Sequence, residues 1–430
     1  MKIQAVRGMR DVLPGEVETW QSIERVARGV FETYGFREIR IPVLESTELF
    51  ARSIGQITDI VEKEMYTFTD RSGASLSLRP EATAGILRAC IEHSLFMSES
   101  VHKLYCIGPM FRRERPQKGR HRQFHQIDAE LLGVTDPRAD AEILAMLRTF
   151  FSELGLGALD FQINSLGCPT CRPSFRQSVL EFLRGREGDL CPDCQRRLEL
   201  NPLRVYDCKV DRCRDLLLGA PRLLDHLCPN CLWHFEALRG YLDLLGVPHS
   251  INPHIVRGLD YYTRTAFEVM SEELGAQNAV CGGGRYDRLI QELGGPELPG
   301  IGFAIGEERL VSILMGQRPH PPRPLELFVV ALGPEATREA LVWTDRARMI
   351  GLRTEVDLRG GSLKAQLRRA NKLGARRALI LGPEELASRR AALREMDGGI
   401  QVEVPMEGLG DLLTEWATEA KASESGWKRS

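Results

Sequence analysis

The sequence predicts an α+β domain built on an antiparallel sheet, interrupted by a cysteine-rich insert and followed by a smaller α/β domain. Three observations carry this reading. Residues 1–150 hold strand–loop–strand stretches, which suggest an antiparallel sheet and not a doubly wound one. Eight of the eleven cysteines fall within residues 166–250. Four prolines in Arg318–Pro324 make a stiff linker, and a strand–helix alternation begins beyond it.

The elements follow in order. Trp20, Ile23, Val26, Ala27, Val30 and Phe31 share one face of a helix over Glu16–Tyr34, which Gly35 stops. A strand over Phe36–Ile41 comes next. Met65–Thr69 and Ser75–Leu78 flank a turn and read as a hairpin. Pro80 and Glu81 open a helix that runs to about Ile91. Lys103–Arg112 and Gln123–Leu132 read as strands around a basic loop. Tyr262–Val269 alternates as a strand, Gly282–Gly284 reads as a turn, and Gly300–Ile305 leads into a helix over Glu307–Leu314. Beyond the linker, strands at Leu325–Leu332, Arg353–Asp357, Arg377–Leu381 and Ile400–Val404 alternate with helices ending near Ile350, Leu373 and Arg394 and a last helix. That rhythm implies a small, mainly parallel α/β domain. The expected boundaries are 1–165 and 251–317 for the main domain, 166–250 for the insert, 318–324 for the linker and 325–430 for the last domain.

Composition excludes several classes. A chain of 430 residues, 43% hydrophobic and 27% charged, is ordinary for a globular protein. No run approaches about 18 apolar residues, so no membrane span is expected. Met1–Glu16 is charged and lacks the apolar core of a signal peptide. A net charge of −2 argues against a polycation, so nucleic-acid binding would need local patches. Many cysteines without a secretion signal suit a reducing compartment, where clusters more often hold metal than form disulfides.

Three constellations carry chemistry. Phe111–Gln126 holds Arg112, Arg113, Arg115, Lys118, Arg120 and Arg122 against the single acid Glu114. Flanking strands would set Arg112 beside Gln126, with a basic loop reaching outward. This suits a phosphate-bearing substrate and a polyanionic partner. Arg257–Glu268 pairs Tyr261 and Tyr262 after an Arg-Gly. Cys281–Asp287 and Gly300–Arg309 are glycine-rich, but neither matches the dinucleotide fingerprint or a P-loop. No G-x-S-x-G nucleophile motif occurs.

Taken in order, Pro42, Leu78-Arg-Pro-Glu-Ala-Thr83, Phe111-Arg-Arg-Glu-Arg-Pro-Gln-Lys-Gly-Arg120, Arg257-Gly-Leu-Asp-Tyr-Tyr-Thr-Arg-Thr265 and Gly300-Ile-Gly-Phe-Ala-Ile-Gly-Glu-Glu-Arg309 resemble the histidyl-tRNA synthetase family. The likeness covers about residues 1–420. It implies the class II synthetase fold with a C-terminal anticodon-binding domain. It implies histidyl-adenylate formation from ATP with Mg²⁺, then transfer to the 3′ end of tRNA-His. By this resemblance Arg257 and Arg112 are catalytic. Histidine is held by Glu81, Ala82, Thr83, Gln126, Glu130, Arg257, Tyr261 and Tyr262, with Glu130 and the Tyr262 hydroxyl bracketing the ring. ATP meets Arg112, Glu114, Arg120, Gly302 and Arg309. A homodimer with Pro42 near its interface, the acceptor stem on Arg113–Arg122 and a cytoplasmic location are also implied. A non-charging regulatory paralogue of histidine biosynthesis is the nearest rival. It lacks the C-terminal domain and usually the activating arginine, and both are present here.

The insert departs from the commonest pattern of that family. Cys168, Cys171, Cys191 and Cys194 give C-x2-C-x19-C-x2-C, a zinc-ribbon spacing. Cys208, Cys213, Cys228 and Cys231 give a looser second set. Structural zinc is the expectation, against reduced free thiols. A zinc-dependent nucleic-acid-binding module would also explain the cysteines and the basic loop, but not Arg257, Glu81 and Glu130 in that order. Cys90, Cys106 and Cys281 read as buried and inert.

Overall fold

The computed structural model describes residues 3–54, 58, 60–114, 121–157, 159–200, 202–208, 210–256, 261–271, 273, 279–317 and 324–426. Arg120, Arg257 and nearly all of the 318–324 linker therefore lie outside the described residues. Contacts divide the chain into units 1–320 and 321–430.

The first unit is organised by an eight-stranded sheet. Its strands are β1 (Arg37–Glu38), β5 (His102–Phe111), β6 (Gln123–Leu132), β7 (Leu159–Ser165), β8 (Ser250–Ile251), β9 (Thr263–Ser271), β10 (Ala279–Tyr286) and β11 (Gly300–Gly306), in the order β1-β5-β6-β11-β10-β9-β7-β8. All pairings are antiparallel except the two edges, β1 with β5 and β7 with β8. A separate three-stranded sheet joins β2 (Leu44–Ser46), β3 (Tyr66–Thr69) and β4 (Ser75–Leu78). Among the described residues no helix is long and apolar enough to cross a membrane.

Alternation along the strands gives the large sheet two unlike faces. Tyr105, Ile127, Ala129, Leu131, Phe267, Val269, Ile301, Phe303 and Ile305 share the apolar face. Helices Val17–Thr33, Arg138–Glu153 and Glu307–Gln317 cover it. Phe31 packs there on Phe36, Tyr105, Phe150 and Phe303, with ring centroids 5.6–6.5 Å apart. The opposite face carries Gln126, Asp128 and Glu130 on β6, opposed by Gly306, Ala304 and Gly302 on β11. Small residues beside long polar ones leave a trough on that face.

Two sequence expectations change. Gly282–Gly284 is not a turn but lies inside β10. Gly283 faces the core, where a Cβ would stand 2.6 Å from the Phe267 ring and 2.8 Å from Phe303. Helix Pro229–Leu244, placed in the insert by sequence, sinks Phe235, Leu238 and Leu242 into the main core. The rest of the insert has its own apolar interior, including Phe175, Val179, Leu183, Leu198 and Val205, and this continues into Tyr261, Tyr262 and Tyr286.

The second unit is a five-stranded sheet ordered β13 (Thr354–Val356), β12 (Leu325–Ala331), β14 (Ala375–Leu381), β15 (Arg390–Glu395), β16 (Gln401–Pro405). The first three are parallel and the last two antiparallel. The helix expected to reach Arg394 ends at Ser388, where Arg389 turns left-handed at φ +52°. Arg390–Glu395 has helix-forming composition, yet Ala391, Ala392 and Leu393 are buried as a strand between β14 and β16. Tertiary pairing overrides propensity there.

One buried ion pair pins the main core. Arg285 and Asp140 have fully buried side chains, and the guanidinium donates to both carboxylate oxygens and to the Val134 carbonyl at 2.8 Å. Removing one partner strands the other charge, which typically costs about 3–5 kcal/mol. Asp140→Ala is expected to lower the unfolding free energy of the first unit by that much, measured by urea titration followed by intrinsic fluorescence, while Arg138→Ala on the exposed side of the same helix leaves it nearly unchanged.

Candidate functional site

The trough begins with a helix start. Glu81 precedes helix Thr83–Glu92, and its carboxylate accepts from the backbone N–H groups of Ala84 at 2.8 Å and Thr83 at 3.1 Å. These two orphan donors and the positive helix end favour its charged form. Burial outweighs them and raises its pKa. Thr83 then donates its hydroxyl to Glu130 Oε1 at 2.6 Å, so the helix start and β6 are tied together. The other oxygen of Glu130 accepts from the Tyr286 hydroxyl.

Glu130 is fully enclosed, and burial pushes its pKa up to about 8 against the pull of these two hydroxyls. Asp128, next on the same face, is raised well above the carboxylate range by burial and then by Glu130 and Glu81. Its Oδ2 and the Gln126 Oε1 are buried acceptors with no partner among the described residues. Three acids and an amide on one buried face make a surface short of donors. A ligand bearing N–H groups or positive charge would satisfy it.

The glycines set the depth. A Cβ on Gly302 would stand 1.7 Å from Glu130 Oε2, and one on Gly284 would stand 2.8 Å from the Tyr262 ring. Tyr261 and Tyr262 lie with centroids 4.6 Å apart, and Tyr261 meets Tyr286 edge-on at 5.7 Å. These three rings wall the Glu130 end.

The other end is basic. Arg112 leaves β5 with its Nε on the Pro80 carbonyl at 2.9 Å and its guanidinium 5.1 Å from the Phe124 ring centroid. Arg309, one turn into helix Glu307–Gln317, donates to the Ala279 carbonyl. Four residues of β6, about 13 Å at strand rise, separate Gln126 at this end from Glu130. The trough thus runs from cations to buried acceptors, a polarity that fits a ligand with an anionic part and a donor-rich part.

The structure brings together Glu81, Thr83, Gln126, Glu130, Tyr261, Tyr262 and Gly302. Ala82 is buried at the cap of the helix. Arg112 and Arg309 stand at the basic end, and the Glu114 carbonyl accepts from Arg122 at 3.4 Å. Beside the Thr83 hydroxyl, Glu130 holds that of Tyr286, a residue that the sequence motifs do not single out, nor do they single out Asp128. The period of two in Gln126-x-Asp128-x-Glu130 could have revealed Asp128. Tyr286 needed the register of β10 with β11.

The cysteine sets change partners. Cys168 and Cys171 gather with Cys228 and Cys231, and Cys191 and Cys194 with Cys208 and Cys213. The expected sets, taken in chain order, are therefore corrected to a nested pair. The physical reason is that Cys168 and Cys228 sit at the two roots of the insert, where the chain leaves the sheet and returns. Cys90, Cys106 and Cys281 are buried, and burial pushes the first two thiols up to about 11.

Comparison with known proteins points one way. The family described as Histidyl-tRNA synthetase matches residues 8–168 and 194–310. That described as Anticodon binding domain matches 326–416. The Histidine--tRNA ligase of Syntrophotalea carbinolica is 55% identical over 415 residues, covering 96% of this chain and 99% of its own. That of Geobacter sulfurreducens is 55% identical over 404 residues, covering 94% and 97%. The crystal structure of apo S. aureus histidyl-tRNA synthetase superposes with a TM-score of 0.82 at 34% identity, covering 96% and 100%.

The raised pKa of Glu130 fixes a sign. Between the ordinary carboxylate range near 4.5 and about 8, the unfolded chain gives up a proton that the native site retains. Stability from this group is full below the lower value and is lost as pH rises through the upper one. Glu130→Gln, which cannot ionise, is expected to flatten the fall in melting temperature of the ligand-free protein from pH 5 to pH 8, measured by scanning calorimetry.

Proposed function

The chain belongs to the histidyl-tRNA synthetase family, and from that premise we propose that the trough is where histidine is read and joined to ATP. The protein is a histidine–tRNA ligase that charges tRNA-His. The observation that carries the reading of the site is the convergence of Glu81, Gln126 and Glu130, with Thr83 and Tyr286, on one donor-poor face. Histidine brings an ammonium and a ring with two nitrogens, which are the groups this face lacks. An analogue without them would strand buried acceptors, a mismatch worth about 10⁴-fold in discrimination.

In the first step a histidine carboxylate oxygen attacks the α-phosphorus of ATP. The bond to the β-phosphate oxygen breaks, giving histidyl-adenylate and pyrophosphate. In the second, a hydroxyl of the tRNA 3′ end attacks the acyl carbon and AMP leaves. Both reactants of the first step are anionic, so positive charge must meet the charge that develops. Arg112 is assigned the α-phosphate, Arg309 the γ-phosphate end and Arg257 the reacting carboxylate and phosphate. Guanidinium suits these positions because it stays charged and forks onto two oxygens. Arg120, Glu114 and Gly302 are assigned to ATP. ATP and Mg²⁺ are what this family generally uses, and Mg²⁺ arrives as part of the nucleotide substrate, on its β- and γ-phosphates. The basic loop Arg113–Arg122 is proposed to meet the acceptor stem. A homodimer with Pro42 near its interface and a cytoplasmic location complete the proposal.

The second unit supplies an electrostatic handle. Lys364, Arg368 and Lys372 recur every four residues on helix Leu363–Lys372 and are exposed, so they form one stripe. Gln366 and Ala370 bury the opposite side. The stripe is proposed to meet the tRNA backbone.

Purified protein is expected to show histidine-dependent ATP–pyrophosphate exchange and to charge tRNA-His. Arg257→Ala is expected to slow exchange by about 10²–10³-fold, as for one lost transition-state donor. An exchange rate within a few-fold of wild type would withdraw its role. Reversing the stripe with Lys364→Glu, Arg368→Glu and Lys372→Glu is expected to lower kcat/KM for tRNA about tenfold or more at low salt. Exchange should be unaffected, and an equal loss in both assays would mean that the domain acts through folding.

A further inference from the structure

Eight cysteines take no part in the chemistry above, and their arrangement is specific. Every Sγ in each group of four lies within 4.8 Å of the others. Cys168 is 3.7 Å from Cys171 and 3.9 Å from Cys228, and Cys191 is 3.8 Å from Cys208. A tetrahedral zinc with metal–sulfur bonds of about 2.3 Å requires sulfur–sulfur edges of about 3.8 Å. Backbone N–H groups also point at the sulfurs, from Cys228 to Cys171 at 3.1 Å and from Cys191 to Cys213 at 3.2 Å. Such donors suit sulfur carrying negative charge. Four thiolates brought this close repel one another unless a cation sits between them. A closed set of four sulfurs with no open position is the structural rather than the catalytic arrangement.

The two groups differ in what they hold. Cys191, Cys194, Cys208 and Cys213 all lie inside the insert. Cys168 and Cys171 follow β7 directly, and Cys228 and Cys231 begin helix Pro229–Leu244, which is packed into the main core. Gly167, between β7 and Cys168, has φ +57°, and a Cβ there would stand 2.7 Å from the Cys171 Cβ. Its carbonyl accepts from the Arg264 N–H at 2.7 Å, and the Arg264 carbonyl accepts from Leu166 at 2.5 Å. Arg264 is itself held left-handed at φ +50°. Arg172, next to Cys171, donates its guanidinium to the Tyr262 carbonyl. Between these two anchors, the Thr263 hydroxyl accepts from the N–H of Asp287, the neighbour of Tyr286. The backbone that presents the tyrosines of the trough is therefore fastened to the frame of the first cysteine group.

We propose that Cys168, Cys171, Cys228 and Cys231 hold one zinc ion and Cys191, Cys194, Cys208 and Cys213 a second, and that the first centre positions the tyrosine wall of the histidine trough while the second sets only the fold of the insert. The positioning half rests on the reading of the trough as the histidine site, whereas the metal half does not.

The test uses the full-length chain purified without chelator. Elemental analysis is expected to give two zinc per chain, falling to one in Cys231→Ser and to one in Cys208→Ser. Cys231→Ser is expected to raise the KM for histidine about tenfold, as for loss of an outer support of a site, with the KM for ATP within about twofold. Cys208→Ser is expected to leave both KM values within about twofold and to speed proteolytic cleavage within the insert. Arg172→Gln keeps all eight cysteines and should keep two zinc ions while raising the KM for histidine, so the coupling is readable even if Cys231→Ser fails to fold. Absence of metal, iron in place of zinc, or zinc content indifferent to Cys208→Ser overturns the metal assignment. Two zinc ions with an unchanged KM for histidine in Arg172→Gln overturn the positioning role. If the wild type holds two zinc ions, lost one at a time, yet shows no histidine-dependent exchange, the synthetase reading fails and the metal centres stand.

Discussion

Burying the carboxylate of Glu130 on a sheet face is the constraint from which the rest of the site follows. A charge taken out of water needs partners, and Thr83 and Tyr286 supply one hydroxyl to each of its oxygens. Those bonds dictate neighbours. Thr83 must open a helix against β6, which requires Glu81 to cap that helix; Tyr286 must lie across β11, which requires glycine at 300, and Glu130 itself requires glycine at 302. Even so, burial keeps the group above its ordinary pKa. In the ligand-free site that carboxyl therefore keeps its proton, and a donor-rich or cationic ligand would supply what its charged form needs.

The same logic explains why one sheet serves two purposes. Its apolar face needs large side chains to make a core, and its polar face needs small ones to make a cavity. β10 meets both demands with three consecutive glycines. Gly283 yields space to Phe267 and Phe303 beneath the sheet, and Gly284 yields it to Tyr262 above. The Arg285–Asp140 pair, one residue further, anchors that strand on the core side. Tyr286, again on the polar side, is thereby held at its place against Glu130. Core packing and trough lining alternate residue by residue along one strand.

This alternation decides what was legible in the sequence. The helix Val17–Thr33 is readable because its apolar period extends over more than ten residues, and β5 and β6 because they are strand-like runs on either side of a polar, basic loop. The three glycines read as a turn because a run of small residues carries no period at all. Arg390–Glu395 reads as helix because its composition favours one, and only its neighbours β14 and β16 make it a strand. Among site residues, Glu81, Thr83, Gln126 and Glu130 were reached through motif order. Tyr286 was not, because its partner lies 156 residues away and only sheet register joins them.

The cysteines fail in the opposite way, since their spacing was legible and their pairing was not. Four short pairs can close into two groups of four in three ways, and chain order favours none of them. Topology does. An insertion leaves a folded domain and returns to it, so its two roots must be close, whatever happens at its tip. The outermost pairs, at 168–171 and 228–231, are those roots, and the inner pairs are left to close with each other. The nested arrangement follows from that closure before any metal is considered. It also ranks the two groups: the root group adjoins the sheet that carries the trough, and the inner group lies within the insert.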